Sequence, residues 1–421
     1  MMDRLLLALG TALLCAGPTF AEAPPAAPPP PLPPPASFLP PAPAPAVKPA
    51  PLPGEGCPGC SGEGAGIGAQ FWASADYLFA WFSGDRLPPL VTTSPPGTAR
   101  ADAGVLGRAT TATLFGDSIV NQDLRDGFRM AFGYWFTPER ACGVEAGFMI
   151  VESQATLFSA ASNGTTILAR PFINANTGQQ DAALIAFPGS SAGTLTARAS
   201  SGAFYEAHLD LTGNVLDTGG CRVDSIFGYR FYRYDEGLRV RQSITDSPSF
   251  VPGTQFLGGD DFATKNGYHG GDLGFRTRLA LDDFSLCLLT KLGVGRLSRD
   301  VKISGGQVIE VPGSAPVLQA GNLFALPTNF GNHHTDDWTL LPELGVTLGW
   351  RASQNLRVTV GYSVLWLERI ARAADQIDFT VNPTRLPGAS ATPTGPERPT
   401  FLFTRNDAWL QSLSVGAEIT Y

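Results

Sequence analysis

Residues 408–421 decide the fold of this chain, and they read A-W-L-Q-S-L-S-V-G-A-E-I-T-Y. In an extended strand, one side of this stretch is apolar and carries Trp409, Leu413, Val415, Ala417, Ile419 and Tyr421. The opposite side is small and polar and carries Ser412, Ser414, Gly416, Glu418 and Thr420. Alternation with a period of two indicates a β-strand between a polar and an apolar environment. A soluble, half-buried strand also alternates. The pattern in the rest of the chain is therefore needed to distinguish a soluble strand from a membrane strand.

The same alternation recurs along the chain and indicates strands at 71–82, 127–136, 144–150, 205–212, 223–231, 272–281, 284–295, 343–350 and 356–366. With the final strand this makes about ten, each near the ~9–11 residues that a tilted transmembrane strand needs. No segment after the N-terminal leader approaches the ~18 consecutive apolar residues of a membrane helix. We therefore predict an all-β fold, an antiparallel transmembrane β-barrel, because only a closed barrel otherwise satisfies every backbone polar group in lipid. Residues 110–120 and 238–242 are candidates for extra membrane strands, so the predicted range is roughly 10–14 strands.

Short and long connections alternate without exception between the predicted strands. Short turns lie at 137–140, 217–220, 282–283 and 351–354, and long connections lie at 83–126, 153–203, 235–267, 298–337 and 368–407. Outer-membrane barrels have short periplasmic turns and longer extracellular loops, so we expect both termini in the periplasm. Residues 194–203 keep the alternation of the strand that follows, so we expect that strand to extend beyond the membrane.

The N-terminal residues divide into two segments that do not belong to the barrel. Arg4, the apolar run at 5–16 and Thr19-Phe20-Ala21 predict a signal peptide over residues 1–21. A retained membrane anchor is the alternative, although the run is short of the ~20 residues that a span needs. Residues 22–69 are rich in proline and predict a disordered spacer, with a tether across peptidoglycan or a partner-recognition segment as alternatives. The barrel is expected over residues 70–421.

The cysteines give no metal site. Cys57 and Cys60 form C-P-G-C at the end of the spacer, and a local disulfide is expected there because nothing nearby completes four zinc ligands. Cys142, Cys221 and Cys287 each lie close to a predicted turn. The phase of their strands points Cys142 and Cys221 towards lipid with one strand between them, which is poor geometry for a bridge. We expect these three to be free thiols.

Several stretches resemble a known family of barrel proteins. They read F-W-A-S-A-D-Y-L-F-A-W-F at 71–82, G-V-L-G at 104–107, L-F-G at 114–116, D-G-F-R-M-A-F-G-Y-W-F at 126–136, C-G-V-E-A-G-F at 142–148 and F-A-T-K-N-G-Y-H-G-G-D-L-G-F-R at 262–276. With the C-terminal strand, they make nearly all of the expected barrel similar to the β-barrel porin family seven, the BBP7-type proteins. The resemblance implies a signal-bearing outer-membrane barrel compatible with a porin, and it brings no functional residues with it. The strand at 408–421 also resembles the closing strand and assembly signal of bacterial outer-membrane barrels.

The polar faces of the strands predict a charged lumen. The candidate lining residues are Arg129, Glu145, Glu206, Asp210, Arg222, Asp224, Arg230, Asp272, Arg276, Arg278, Lys291, Glu343 and Arg357, with His208 and Glu418 on the same faces. Because both signs are mixed, these side chains form either a salt-bridged plug or a charged eyelet that passes small solutes. A barrel of about ten strands is largely filled, whereas open channels belong to barrels of roughly 16–18 strands. We predict a narrow porin-like channel for small solutes; the alternative is a plugged barrel whose long surface loops serve adhesion or a structural role.

Other function classes find less support. The net charge of -8 argues against nucleic acid as a partner. No nucleotide-binding, serine-hydrolase or zinc-protease motif occurs in the sequence. His208 with Asp210, and N-H-H-T-D-D at 332–337, offer the residue types that outer-membrane proteases use, but adjacent histidines point to opposite sides of a strand. We expect no enzymatic activity, cofactor or metal, and we expect outer-membrane lipid and the barrel-assembly machinery as partners.

Overall fold

The computed structural model describes residues 70–245, 251–389 and 392–421. The expected signal peptide at 1–21, the spacer at 22–69 and the expected disulfide between Cys57 and Cys60 lie outside these residues. Among the described residues, no helix has the length and apolar character needed to cross a membrane.

Strands dominate the described part of the chain. In chain order they are β1 (Phe71–Phe82), β2 (Asp85–Leu87), β3 (Val91–Thr93), β4 (Ala112–Phe115), β5 (Ser118–Val120), β6 (Arg125–Trp135), β7 (Cys142–Val151), β8 (Gln154–Ser162), β9 (Leu168–Asn174), β10 (Gln180–Ala186), β11 (Ala192–Ser201), β12 (Phe204–Asp217), β13 (Cys221–Thr245), β14 (Gln255–Leu281), β15 (Phe284–Glu310), β16 (Val317–Ala320), β17 (Gly331–Arg351), β18 (Leu356–Ile370), β19 (Thr380–Val381) and β20 (Asn406–Thr420). Short 3-10 helices lie at Ala374–Gln376 and Pro383–Arg385.

Ten of these strands close into one antiparallel ring. Its order is β1, β6, β7, β12, β13, β14, β15, β17, β18 and β20. The ring closes where β20 pairs with β1, with Ala417 opposite Ala75. Ring neighbours follow one another along the chain, so this is an up-and-down barrel. The predicted fold class is confirmed, and each of the ten predicted segments supplies one ring strand.

The outer surface of the ring is an apolar belt. On β17 the outward side chains are 38–68% exposed, and they are Trp338, Leu340, Leu344, Val346, Leu348 and Trp350. Other strands continue the belt with exposed Phe227, Tyr229, Leu273, Phe275, Val358, Val360, Leu413 and Val415. A continuous band of large apolar side chains of this kind fits lipid and not water. The strands therefore cross a membrane, and their inward faces line a lumen.

The two ends of the ring differ in their connections. At the end that we call the turn end, brief turns join β6 to β7, β12 to β13, β14 to β15 and β17 to β18. Residues 71 and 421 exchange two backbone hydrogen bonds at this end. Long connections occupy the opposite end, which we call the loop end. The predicted sorting of short and long connections is therefore present in the structure.

The loop end carries a folded cap, which comprises the described residues of 83–124, 152–203, 236–266, 299–335 and 368–405. Strands β13, β14 and β15 continue into the cap, where Arg239 pairs with Asp261 and Asp261 with Ser304. The long connections at 235–267 and 298–337 are present, and most of their residues are strand. The reason is that the alternation does not stop at the belt: Leu238, Val240, Phe262, Val301 and Ile303 remain buried, but against cap side chains.

Smaller strands complete the cap. Strand β11 pairs with the upper part of β13 and with β8, and a second sheet contains β3, β4, β9, β10 and β19. Residues 194–203 thus belong mainly to β11, which is separate from β12, and do not extend that strand as expected. Residues 110–120 and 238–242 do not widen the ring, because they contribute to β4, β5 and the upper part of β13. An apolar core that includes Phe115, Phe172, Ile185, Leu195, Phe324 and Leu326 holds the cap together.

The cysteines of the barrel are free, as expected. Cys142 lies on β7 and Cys221 on β13, and β12 separates the two strands. Cys287 on β15 faces the lumen.

Candidate functional site: the barrel lumen

The middle of the lumen holds an ionic layer made of Glu145, Glu206, His208, Asp210, Arg230, Asp272, Arg276, Lys291 and Glu343. All nine lie on ring strands at positions whose neighbours along the chain face lipid, so alternation alone directs them inward. Every one of them except His208 was a lining candidate from the sequence, and His208 was placed on the same face. Seven of them, all but Asp210 and Asp272, line a cavity of about 180 Å³. This volume is below the ~300–1,000 Å³ that is usual for ligand pockets.

Arg230 and Lys291 hold the centre of the ionic layer. The Nε of Arg230 lies 2.6 Å from Asp272 Oδ2, and its Nη2 lies 2.6 Å from Glu343 Oε2. The Lys291 ammonium lies 2.8 Å from Asp210 Oδ2 and 2.9 Å from Asp272 Oδ2. Arg230 and Asp210 are 1% exposed, and Asp272 is 0% exposed. Charges that have lost this much water are stable only when they are paired in this way.

A second group of pairs surrounds His208. Arg276 donates two hydrogen bonds to Glu145, at 2.6 and 2.9 Å. His208 places Nδ1 at 3.0 Å from Glu206 Oε1 and Nε2 at 3.5 Å from Glu145 Oε1. Two carboxylate neighbours suit the imidazolium, the form in which both ring nitrogens donate. Its charge also brings the layer closer to neutrality, because five carboxylates face only three permanent cations there.

Glu145, His208 and Asp210 also have the geometry of a three-ligand metal site, with one donor atom from each lying within 4.8 Å of the others. Cations of the chain already hold three of the four carboxylate oxygens, and Asp210 Oδ1 is the one without a hydrogen-bond partner among the described residues. Arg276 occupies both oxygens of Glu145, and Lys291 lies 2.8 Å from Asp210 Oδ2. The arrangement therefore fits an internal ion-pair network better than a metal site.

Glycines let these bulky side chains lie across neighbouring strands. A Cβ added to Gly147 would lie 2.2 Å from the His208 ring, and one added to Gly228 would lie 1.9 Å from Asp210 Oδ1. Neither distance is possible between non-bonded atoms. Glycines of the polar face thus make room for large lumen side chains.

An apolar layer closes the lumen between the ionic layer and the cap. Its inward side chains are 0–8% exposed and include Leu78, Met149, Tyr232, Tyr268, Leu341, Leu365 and Leu410. The rings of Tyr232 and Tyr268 stack with their centroids 5.2 Å apart. This layer was not predicted: Tyr232 and Tyr268 lie outside the predicted strands, which ended at 231 and began at 272, and Leu78, Met149, Leu365 and Leu410 lie inside predicted strands but on faces that were predicted to be polar. The continued alternation of aromatic and polar residues beyond those limits was the signal that could have found it.

The remaining lining candidates lie nearer the turn end. Arg129 is 3.1 Å from Asp76, and Arg222 is 3.0 Å from Asp224. Arg357 is 2.5 Å from Glu418, and Arg278 is 3.7 Å from the same carboxylate. These side chains line the lumen, but they do not join the ionic layer. Arg140, from a turn, and Arg351, the last residue of β17, also reach this region. Neither was predicted, because both lay in segments assigned to turns from the sequence, where strand alternation gives no face.

A buried ion group lies just above the belt, in the cap. Arg372 Nη2 is 2.7 Å from Glu236, and Arg372 Nε is 3.6 Å from Asp85. All three side chains are buried. Burial raises the pKa of Asp85 to about 8, and the nearby Glu236 charge adds to this while Arg372 opposes it. Asp85 is therefore mostly protonated at neutral pH, which leaves Glu236 as the charged partner of Arg372.

The histidine pair at the loop end does not form one site. His334 is exposed on the outer face and lies 2.8 Å from Asp300 and 3.4 Å from Asp336. His333 points to the opposite face, where its ring stacks on Phe401. This is the opposition that two adjacent residues of a strand must show.

Three comparisons relate the chain to known proteins. A sequence model of the family described as "Putative beta barrel porin-7 (BBP7)" matches residues 72–421. No curated protein matches the chain. Among solved structures, the outer membrane protease OmpT from Escherichia coli is 10% identical and has a TM-score of 0.42, with 84% of this chain and 97% of that chain covered. The toluene transporter TodX from P. putida is 7% identical with a TM-score of 0.19, and covers 85% of this chain and 91% of that one. The translocator domain of the autotransporter NalP from Neisseria meningitidis is 10% identical with a TM-score of 0.18, and the match covers 84% of this chain and 89% of that one.

Proposed function

The chain belongs to the family described as putative beta barrel porin-7, and from this premise we propose that it is an outer-membrane barrel, closed to solutes, that supports its folded cap at the cell surface. The observation that carries this proposal is the pair of stacked layers in the lumen. Arg230, Asp272 and Lys291 fill the ionic layer with 0–4% of their surface exposed, and the apolar layer follows directly. A hydrated solute has to disrupt both layers in order to pass.

The proposed orientation follows from the connections. Barrels of the outer membrane have short turns towards the periplasm and long segments towards the outside. We therefore propose that the turn end and both termini are periplasmic and that the cap is extracellular. The signal peptide predicted at 1–21 supports this placement, since it directs the chain out of the cytoplasm. The closing strand β20, up to Tyr421, is proposed to contact the barrel-assembly machinery.

The cap offers the surface on which recognition or adhesion can take place. Long loops are usually either functional or disordered, and these segments are folded around a core of their own. A rigid surface loses little conformational entropy when it binds a partner. We propose no catalytic role, and replacing His334 and Asp336 by alanine should leave peptidase activity at the background level of the purified protein.

Planar-bilayer recording tests the closed state. The purified full-length protein, inserted into a bilayer, should give no single-channel steps. A variant in which a short Asn-Gly turn replaces residues 152–203 should still fold as a barrel but should lose surface adhesion in a vesicle-to-cell binding assay. Frequent steps from the wild-type protein, or unchanged adhesion by the variant, would overturn the proposal.

A narrow channel is the second candidate, and one observation favours it. The hydroxyl groups of Tyr232 and Tyr268 are buried in the apolar layer and have no hydrogen-bond partner among the described residues. An unsatisfied buried hydroxyl costs ~1–3 kcal/mol, so this is the weakest part of the closure. If the layer is a gate, the double variant Tyr268→Ala, Leu410→Ala should conduct small ions while the wild type opens rarely. A silent double variant would remove this candidate.

A further inference from the structure

The turn end of the lumen opens into an arginine-rich chamber, which we call the arginine vestibule. It is a cavity of about 310 Å³, and its cationic lining residues are Arg140, Arg276, Arg278, Arg351 and Arg357. Arg140, Arg278, Arg351 and Arg357 also line a neighbouring cavity of about 370 Å³. The arginines come from β14, β18, the last residue of β17 and the turn between β6 and β7, so the fold brings them together from distant parts of the chain.

The carboxylates of the vestibule do not balance these cations. Asp224 and Glu418 are the acidic residues that line the 310 Å³ cavity. Asp224 is paired with Arg222, and Glu418 is shared between Arg357 at 2.5 Å and Arg278 at 3.7 Å. Arg276 is engaged by Glu145 in the ionic layer. Arg140 and Arg351 form no ion pair within the part of the chain that the structure describes.

The position of Arg140 adds an independent observation. It lies in the turn between β6 and β7 with a backbone φ of 56°, a left-handed conformation that is uncommon for arginine. The guanidinium of Arg222 holds the Arg140 carbonyl by a short hydrogen bond, which fixes this turn over the vestibule. Burial lowers the pKa of Arg140, and the like charges of Arg278 and Arg222 lower it further. A strained residue that is held among like charges is typical of a binding site rather than of a structural contact.

We propose that the arginine vestibule binds the phosphate group of a small soluble phosphate ester from the turn-end side. Guanidinium groups present planar N–H pairs that match phosphate oxygens, and a phosphate carries about -1.5 to -2 charge at pH 7. One such group supplies the negative charge that Arg140 and Arg351 lack, and a closer partner for Arg278, which shares Glu418 with Arg357. Trp72 and Trp135 also line the cavity and give it an apolar wall for the organic part of the ligand.

This site does not depend on conduction, because the vestibule lies on the turn-end side of both closing layers. Its ligand can enter and leave by the same mouth. Failure of the binding experiment therefore leaves the closed-barrel proposal intact, and single-channel steps leave the binding proposal intact.

Calorimetric titration of the full-length protein tests the site. The detergent should be a maltoside, which contains no phosphate, and the probes are inorganic phosphate and phenyl phosphate. Both should bind saturably at one site, and phenyl phosphate should bind about 2- to 10-fold more tightly because of the tryptophan wall. Raising the salt concentration should weaken both, since the attraction is largely electrostatic.

Matched variants locate the binding. Arg351→Gln and Arg140→Asn should each weaken phosphate binding about 10-fold or more, because each removes a charged hydrogen-bond donor. Asparagine is chosen at 140 because it tolerates the left-handed backbone. Arg233→Gln, on the exposed outer face near the loop end, is the control and should bind as the wild type does. The proposal would be overturned if millimolar phosphate gave no saturable binding, or if the control variant lost as much phosphate affinity as the other two. Binding that appears only with phospholipid vesicles would also overturn it.

Discussion

The His208 side chain lies across Gly147 of the neighbouring strand, and this contact leaves no space for a larger residue. A Cβ at position 147 would lie 2.2 Å from the imidazole, which is held by Glu145 and Glu206. Gly147→Ala should therefore lower the free energy of unfolding by about 1–3 kcal/mol, the usual cost of overpacking. Urea unfolding in detergent micelles measures it. Gly345→Ala is the control, because its Cβ would meet its nearest neighbour at an ordinary 3.4 Å; an equal loss there would contradict the packing argument.

Arg230 is the residue on which the ionic layer depends most. Its replacement by methionine keeps much of the volume but leaves Asp272 and Glu343 without the cation that each contacts at 2.6 Å. We expect Arg230→Met to cost about 3–5 kcal/mol of unfolding free energy, since it leaves Glu343 unpaired and leaves the buried Asp272 with Lys291 as its one cation. Arg233→Met removes an exposed pair with Asp235 and should cost less than about 1 kcal/mol. Similar losses in the two variants would mean that the lumen is better hydrated than its burial indicates.

At the scale of elements, the strands could be read from the sequence because lipid and lumen impose opposite polarity on successive residues. That rule identified all ten ring strands, and it assigned the charged residues of those strands to the inward face. It failed above the belt, where β13, β14 and β15 continue into the cap. There the outward side turns polar, as at Arg239 and Asp261, so the pattern alone no longer separates a membrane strand from a soluble one. Pairing partners such as Arg230 and Glu343 depend on register, which no single strand reveals.

The junction between the barrel and the cap should respond to pH through Asp85. Its pKa in the folded protein is raised to about 8 from the usual 3.8, so between these values the folded state binds more protons than the unfolded state. The contribution of Asp85 to stability is therefore fully present below the unfolded pKa, and it is lost as the pH rises towards about 8, by at most ~1.4 kcal/mol per pH unit. Thermal unfolding from pH 5 to pH 8.5, followed by circular dichroism, measures this slope. Asp85→Asn, which cannot ionise, should flatten it; an unchanged slope in that variant would assign the dependence to another group.

The whole molecule combines a lipid-facing cylinder with two closing layers and a cap. The cylinder follows from composition and alternation, but the closure does not. Residue types alone could not decide between a charged eyelet and a salt-bridged plug, because both use the same arginines and carboxylates. The decision lies in packing: Tyr232 and Tyr268 stack across the paired strands β13 and β14, and this contact depends on a register that residue types alone do not reveal.

Because the barrel is embedded in a membrane, an arginine on its outer face should lower the free energy of unfolding by an amount that depends on its depth in the bilayer. Leu344 points outward from β17 midway between Trp338 and Trp350, the two exposed tryptophans of that strand. An arginine there has to enter the centre of the hydrocarbon layer, so Leu344→Arg should destabilise the folded barrel in lipid vesicles by about 2–4 kcal/mol. Ser298 lies opposite Asp336 on the same outer side, beyond Trp338, and Ser298→Arg should cost only about 0–1 kcal/mol. Urea titration in vesicles compares the two variants. Equal costs would show that the belt between the tryptophans is not surrounded by lipid, because only a hydrocarbon layer makes the penalty depend on position along the strand.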